Sequence, residues 1–229
     1  MHIRNTEGKR SMTAIFDLHN TVADLRGGQA TVIEQHFGIA LDRGAFAGGK
    51  AARQGNRLRL MLADGDIKMI PIDGYHHCMD QLMHERYLEL VLPVPGAKEA
   101  LAAAHRQYGG VTLVSKACAP LGRTTGMCKG LMEDFVLTHG LDVDYVFHDE
   151  DPEGRAKLGW FASPEVTLVV DNEEPVLRRV YETASEWRRL VHRRPAKGET
   201  GWRAFPAVRA KGIESCAGWP EDLTMPLAA

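Results

Sequence analysis

The sequence predicts an α/β fold in which a mostly parallel sheet core carries an inserted, mainly helical cap. Three observations predict it. Apolar runs at Thr13 to Phe16, Val111 to Val114 and Val166 to Val170 are rich enough in β-branched residues for buried strands, and each ends in polar residues. Helix-forming stretches separate the later runs, as parallel strands joined by crossovers require. Residues 24–93 stand between the first run and the next core helix, too long a connection to lack structure of its own.

Taken in order, Met1 to Met12 reads as a polar lead-in, and the first strand then ends in Asp17 within Ala14-Ile15-Phe16-Asp17-Leu18-His19-Asn20-Thr21-Val22. In an open Rossmann-like sheet the carboxyl ends of the strands form the usual ligand crevice, which makes Asp17 the first candidate for chemistry. A turn-forming or helix-capping role is the alternative. Within the insertion, Gln29 to Phe37 and Asp80 to Leu92 have helical character, while Gly48 to Met61 mixes small, basic and apolar residues. Pro95-Gly96 opens a helix over Ala97 to His105, since proline is tolerated in a first helical turn, and Gly109-Gly110 breaks it before the second strand. Gly122 to Thr138 and Pro175 to Leu190 supply further crossover helices. After Pro195, Gly198, Gly201 and Gly212 interrupt any long helix, so segments near Ala204 to Val208 and Ile213 add edge structure or buttress the core. These boundaries give a core of residues 13–23 and 94–229 and a helical cap of residues 24–93.

The chain of 229 residues is long enough for one sizeable core with a small accessory unit. A net charge of -2 gives no global attraction to nucleic acid or to an anionic membrane, and no run of about eighteen apolar residues offers a membrane span. Cysteines 78, 118, 128 and 216 lack paired metal-ligand spacing, and no apolar targeting segment precedes the first strand; reduced thiols in a cytoplasmic protein are expected. Gly27-Gly28 and Gly48-Gly49 read as loop glycines, without the spacing of a dinucleotide fingerprint. Arg188-Arg189 and His192-Arg193-Arg194, beside Trp187, read as a charged helix-to-loop surface, which leaves no strong nucleic-acid signal. Trp202 and Trp219 read as packing groups. Oligomeric state is not fixed by the sequence.

Asp17, Ser115, Lys157 and Asp171 make a chemical set. A carboxylate pair can hold Mg²⁺, a hard cation that prefers oxygen, while serine and lysine can bind phosphoryl oxygens. Asp17 can instead attack phosphorus to form an acyl-phosphate, and the two roles are compatible if its oxygens face metal and substrate respectively. Arg155 and Lys116 compete with Lys157 for the charged role. In the insertion, Arg53, Arg57, Arg59 and Lys68 suit selection of an anionic substrate, with Tyr75, His76 and His77 offering polar or closing contacts; a solvated basic face is the alternative. His76-His77-Cys78 lacks the further ligand that soft-metal binding needs.

The set resembles the haloacid dehalogenase-like superfamily, especially its Mg²⁺-dependent aspartyl phosphatases. Asp17-Leu18-His19-Asn20-Thr21 is similar to the D-x-D-x-T/V motif, Val111 to Ser115 to the second motif, Lys157 to the third, and Val166 to Asn172 to the fourth. The resemblance implies Asp17 as nucleophile and metal ligand and the His19 backbone carbonyl and Asp171 as further metal ligands. Thr21, Ser115 and Lys157 are implied to bind phosphate, and Asn172, Glu173 and Glu174 to shape the metal environment from outside. His19 departs from the pattern: it stands where an aspartate usually provides acid/base catalysis, a role histidine can also perform near neutral pH. Asp17 to Leu25, Pro93 to Ala97, Val170 to Pro175 and Cys216 to Glu221 look loosely like deoxyribonucleotidases.

The implied activity is Mg²⁺-dependent hydrolysis of a small phosphorylated metabolite, nucleotides among the options, through an aspartyl-phosphate. Two other readings stay open. One is a catalytically weakened phosphate-binding or protein-interaction module; the other is a haloacid dehalogenase in which Asp17 attacks carbon.

Overall fold

The computed structural model describes residues 13–48, 51–116, 125–149, 155–184, 188–207 and 209–224. The expectations placed on Met1 to Met12, Cys118, Trp187 and the Lys116 side chain fall outside them. In chain order the elements begin with β1 (Thr13–Asp17), α1 (Leu25–Phe37), β2 (Arg53–Gln54), β3 (Arg57–Met61), β4 (Ile67–Pro71) and α2 (Ile72–Gln81). A π-helical turn, Leu82–Arg86, leads into α3 (Tyr87–Leu90), followed by α4 (Ala97–Tyr108), β5 (Val111–Lys116), α5 (Thr125–His139), β6 (Tyr145–Asp149) and α6 (Arg155–Phe161). The chain continues through β7 (Val166–Asp171), α7 (Glu174–Ala184), β8 (Arg189–Arg194) and β9 (Ile213–Ala217).

Six strands form one parallel sheet in the order β6-β5-β1-β7-β8-β9. The architecture is the expected α/β core with an inserted helical region. Both faces of β1 are buried: Ala14 and Phe16 join one apolar cluster and Ile15 the other, as the two-residue alternation of a strand dictates. Burial of side chains such as Ile15 and Phe16 contributes roughly 1.5–3 kcal/mol each, which commits this run to the middle of the sheet. The chain builds outward from β1 through β5 and β6, then returns to the other side of β1 with β7. That reversal is a topological switch point, where ligands of open α/β sheets bind. Asp17 and Asp171 are the last residues of the two strands that flank it.

The segment between β1 and α4 contains α1, α2 and α3 together with a three-stranded antiparallel sheet, β2-β3-β4, beyond the helices expected there. In β3 the alternation Arg57-Leu58-Arg59-Leu60-Met61 buries the two leucines and exposes the rest. Gly27 and Gly28 lie in the first turn of α1, not in a loop. Asp24 caps that helix, its Oδ1 accepting from Gly27 N at 2.8 Å, and a Cβ on Gly27 would meet the capping carboxylate at 2.2 Å. The π-helical turn runs between α2 and α3 and sets the direction in which Tyr87 leaves the helix.

One expectation is overturned beyond Ala184, where α7 ends: Arg189–Arg194 is β8, so the basic run is not a helix-to-loop surface. Arg193 is fully buried, bound through Nη2 to both Glu199 carboxylate oxygens at 2.8 and 2.9 Å and lying 4.7 Å from the Trp219 ring centroid. Trp219 also packs beside Phe16 and donates Nε1–H to Pro95 O at 2.9 Å, a packing role as expected. Ile213 lies in β9, the edge strand. No helix among the described residues is long and apolar enough to cross a membrane.

Candidate active site

The turn after β1 is built to gather side chains. Leu18 N–H still bonds Val114 O, whereas Val22 and Ala23 N–H both return to Leu18 O. Asn20 takes a left-handed conformation, φ 64°, which asparagine tolerates better than most side chains, and its Oδ1 accepts from Arg26 N at 2.9 Å. Asp17, His19 and Thr21 consequently face one small volume, and all three are buried.

Lys157, near the start of α6, enters that volume from β6's side. Its backbone N–H donates to Asp149 Oδ2 at 2.6 Å, fixing the helix against the end of β6. Its Nζ lies 2.6 Å from Asp17 Oδ1 and 2.8 Å from Asp171 Oδ2. Burial works against the ammonium, yet Asp17 and Asp171 together hold its pKa above the ordinary lysine value. Burial pushes the Asp17 carboxyl up to about 7, with Lys157 opposing and Asp171 adding to the rise. Asp171 is raised for the same first reason, against the pull of Lys157, and its Oδ1 accepts from Glu173 N at 2.7 Å. The ammonium makes the charge of both buried carboxylates more tolerable, and they make its own so, while the two carboxylates oppose each other.

His19 sits beside this triplet. Its Nδ1 is 3.0 Å from Ser115 Oγ at the end of β5, and its Nε2 is 2.9 Å from the Tyr87 hydroxyl of α3. Burial first, then His148 and Lys157, pull the imidazole down to about 3, so it is neutral at physiological pH and offers one donor and one acceptor nitrogen. Thr21 Oγ1 donates to Asp17 Oδ2 at 3.4 Å.

Asn172 completes the group. Thr21 Oγ1 donates to its amide oxygen at 3.4 Å; that inward amide atom lies 3.1 Å from Asp17 Oδ2 and 3.2 Å from His19 O, and the outer amide atom lies 3.0 Å from Arg26 Nη2. Asp171 Oδ2 is directed at Lys157 and its Oδ1 at Glu173 N. Glu173 is exposed, and Glu174 Oε1 accepts from Arg178 on its own helix at 2.7 Å.

The structure thus brings together Asp17, His19, Thr21, Ser115, Lys157, Asp171 and Asn172. It does not bring Arg53, Arg57 or Lys68 to them: all three are exposed on the antiparallel sheet, and among the described residues no hydrogen bond or ion pair joins them to the strand ends. By register, Arg57 shares a face with Pro71, and Arg53 and Lys68 lie opposite Leu58 and Leu60 respectively. Four neighbours of the site were not singled out by sequence reasoning: Arg26, Tyr87, His148 and Asp149. Asp149 ends a strand as Asp17 does, a signal available in the apolar Tyr145-Val146-Phe147 run; nothing local marks Arg26 or Tyr87. A cleft of about 320 Å³ lined by His77, Asp80, Gln81, His84 and Glu85 shares no residue with this site.

Among the described residues, no three His, Cys, Asp or Glu side chains gather to hold a metal. A hard cation would depend on a mixed oxygen set: Asp17 Oδ2, the His19 carbonyl and the Asn172 amide oxygen. The inward amide atom is 3.1 and 3.2 Å from the other two, close to the roughly 2.9 Å between adjacent oxygens around an octahedral Mg²⁺. With the amide oxygen inward, where it accepts from Thr21 Oγ1, the set fits Mg²⁺.

No family model matches the chain, and no curated protein matches it. Solved structures similar to it include a haloacid dehalogenase-like hydrolase from Bacteroides fragilis, at 15% identity and TM-score 0.47, over 90% of this chain and 97% of that one. Another is a predicted phosphoglycolate phosphatase from Haemophilus somnus, at 12% identity and TM-score 0.43, over 81% and 86% of the two chains. A third is CbbY from Rhodobacter sphaeroides in complex with phosphate, at 16% identity and TM-score 0.41, over 79% and 85%. The functional reading therefore rests on the site's own geometry.

Proposed function

We propose that this chain is a haloacid dehalogenase-like phosphomonoester hydrolase whose nucleophile is Asp17. The observation that carries the reading is the Lys157 ammonium held between Asp17 and Asp171 at a topological switch point, with Ser115 and Thr21 beside them. Lys157 favours the ionised form of Asp17 against the cost of burial and supplies positive charge for a phosphoryl group. Attack of an Asp17 oxygen on phosphorus forms the acyl-phosphate as the alcohol oxygen leaves; water then cleaves that anhydride, releasing phosphate and restoring the carboxylate. Ser115 and Thr21 hydroxyls can donate to phosphoryl oxygens.

Mg²⁺, when bound, would neutralise phosphoryl charge, held by Asp17, the His19 carbonyl and Asn172. Arg53, Arg57 and Lys68 are proposed to act only in attracting a small phosphorylated metabolite, because they remain outside the strand-end cluster.

A second reading, a phosphate-binding module with weak turnover, is favoured by one specific feature. His19 is neutral and engaged at both ring nitrogens, so it is a poor source of the proton that an alcohol leaving group needs. Substrates with acidic leaving groups, such as aryl phosphates, should accordingly turn over faster than alkyl phosphates.

Phosphate release from a panel of phosphomonoesters, with and without Mg²⁺, tests the reading. Asp17→Asn should lower turnover by on the order of 10⁴-fold while the circular dichroism spectrum is retained. Full turnover by the folded variant excludes the acyl-phosphate route; phosphate binding with no release from any ester selects the second reading.

A further inference from the structure

We infer that Tyr87, carried by the insertion, is a positioning residue for Ser115: acting through the His19 ring, it leaves the serine proton free to meet a phosphoryl oxygen. The inference deepens the phosphatase reading and rests on that reading's assignment of Ser115 to phosphate. Three groups stand in line. The Tyr87 hydroxyl lies 2.9 Å from His19 Nε2, and His19 Nδ1 lies 3.0 Å from Ser115 Oγ. All three residues are buried. Buried with a hydroxyl at each nitrogen, the ring is neutral and carries a single N–H, so one nitrogen donates and the other accepts. The two hydroxyls are thereby tied to opposite roles: when one donates to the ring, the other accepts from it.

The phenol decides between the two directions. Conjugation with its ring draws electron density from the tyrosine oxygen, which makes the O–H a stronger donor and the oxygen a weaker acceptor than the alkyl hydroxyl of serine. Tyr87 O–H accordingly donates to Nε2, and Nδ1–H donates to Ser115 Oγ. The serine proton is then left for an acceptor other than His19. In the reverse direction Ser115 donates to Nδ1 and meets phosphate with lone pairs only. The tyrosine is well seated for this role: its ring meets Phe135 of α5 edge-on at 6.1 Å and the His19 ring at 6.0 Å, and its carbonyl accepts from Val91 N at 2.9 Å. His19, Ser115 and Phe135 lie outside the insertion and Tyr87 within it, so the hydroxyl assigned to phosphate is oriented from the insertion.

The test reads the ring proton first. In the purified full-length protein labelled with ¹⁵N-histidine, without substrate or added metal, long-range proton–nitrogen NMR spectra distinguish protonated from bare ring nitrogens. The spectrum of His19→Gln identifies the His19 signals. Wild type should carry its proton on Nδ1. Tyr87→Phe, which keeps the ring against Phe135 and removes only the hydroxyl, should lose part of that population, since free histidine favours the proton on Nε2. Affinity for inorganic phosphate, titrated calorimetrically with Mg²⁺ present, should fall about tenfold in Tyr87→Phe and in Ser115→Ala, and no further in the double variant. A wild-type His19 with its proton on Nε2 overturns the inference, whether or not the variant folds. Losses that multiply in the double variant overturn it too, as does absence of phosphate binding by wild type. Phosphate release from esters is scored separately. The expected proton position and coupling without turnover keep the positioning role and reject the hydrolase; turnover with the proton on Nε2 does the reverse.

Discussion

The molecule has two sheets that carry charged side chains, and they handle charge in opposite ways. At the carboxyl end of the six-stranded sheet, Asp17, Lys157 and Asp171 are buried and joined at 2.6 and 2.8 Å. On the three-stranded sheet of the insertion, Arg53, Arg57, Arg59 and Lys68 stand in solvent. The difference comes from sheet type. Parallel strands buried on both faces leave their ends as the place for polar groups, so ends from distant parts of the chain converge. In the antiparallel sheet, Arg57 and Arg59 alternate with the buried leucines of β3, while Arg53 and Lys68 pair with those leucines yet are exposed, so the charge is spread over the sheet and nothing makes it converge. Residue type alone made Lys157 and the insertion's basic residues look comparable; the place of Lys157 near the start of α6, against the ends of β1 and β7, separates them.

The strongest way to break this contrast is Lys157→Met. Removing the ammonium leaves two buried carboxyls facing each other, and a stability loss of about 3–5 kcal/mol is expected in urea unfolding at pH 7. A loss below about 1 kcal/mol would mean that solvent reaches the group and that the two sheets do not differ as described.

A smaller effect isolates His19. Its folded value of about 3 against an ordinary 6.5 means that the unfolded chain binds a proton over that window when the folded protein does not. The stability supplied by keeping it neutral is fully present above about pH 6.5 and is lost as pH falls toward 3, by up to about 1.4 kcal/mol per pH unit. Asp17, whose pKa is raised, acts with the opposite sign between its ordinary 3.8 and about 7, so the wild-type curve alone does not separate them. The difference between wild type and His19→Gln, in chelator-treated buffer, should shrink as pH is lowered from 6.5 to 4. Parallel curves would place His19 in contact with water.

The smallest effects belong to the insertion's sheet. Arg57→Ser and Lys68→Ser should each change stability by less than about 0.5 kcal/mol and raise KM for an anionic ester no more than about threefold, mainly at low salt. A larger KM change that persists at high salt would assign one of them a direct substrate contact.

Much of the strand-end arrangement was legible because its signals are local. The runs that became β1, β5 and β7 are apolar and end in polar residues, and Pro95-Gly96 and Gly109 bracket α4 closely. The illegible part depends on partners remote in the chain. Arg189–Arg194 reads as exposed because of its arginines, yet Arg193 is accommodated by Glu199 and Trp219, which local composition does not reveal. The hairpin of β3 and β4 is a different kind of omission: the alternation in Arg57 to Leu60 was available and was outweighed by the mixed composition around it. Asp171 and Asn172 are adjacent, but one reaches Lys157 and the other reaches Asp17 and the His19 carbonyl. A motif match does not separate such neighbours.

The π-helical turn at Leu82–Arg86 has a consequence for how the insertion can vary. Each residue added to or taken from a helix rotates the residues beyond it by about 100°, so deleting one residue here would swing the Tyr87 hydroxyl away from His19 while leaving the helix intact. Exposed turns such as Ala63 to Asp66 carry no such phase constraint and can lengthen or shorten without turning anything at the site. Along this one helix, the insertion is metered to the single residue.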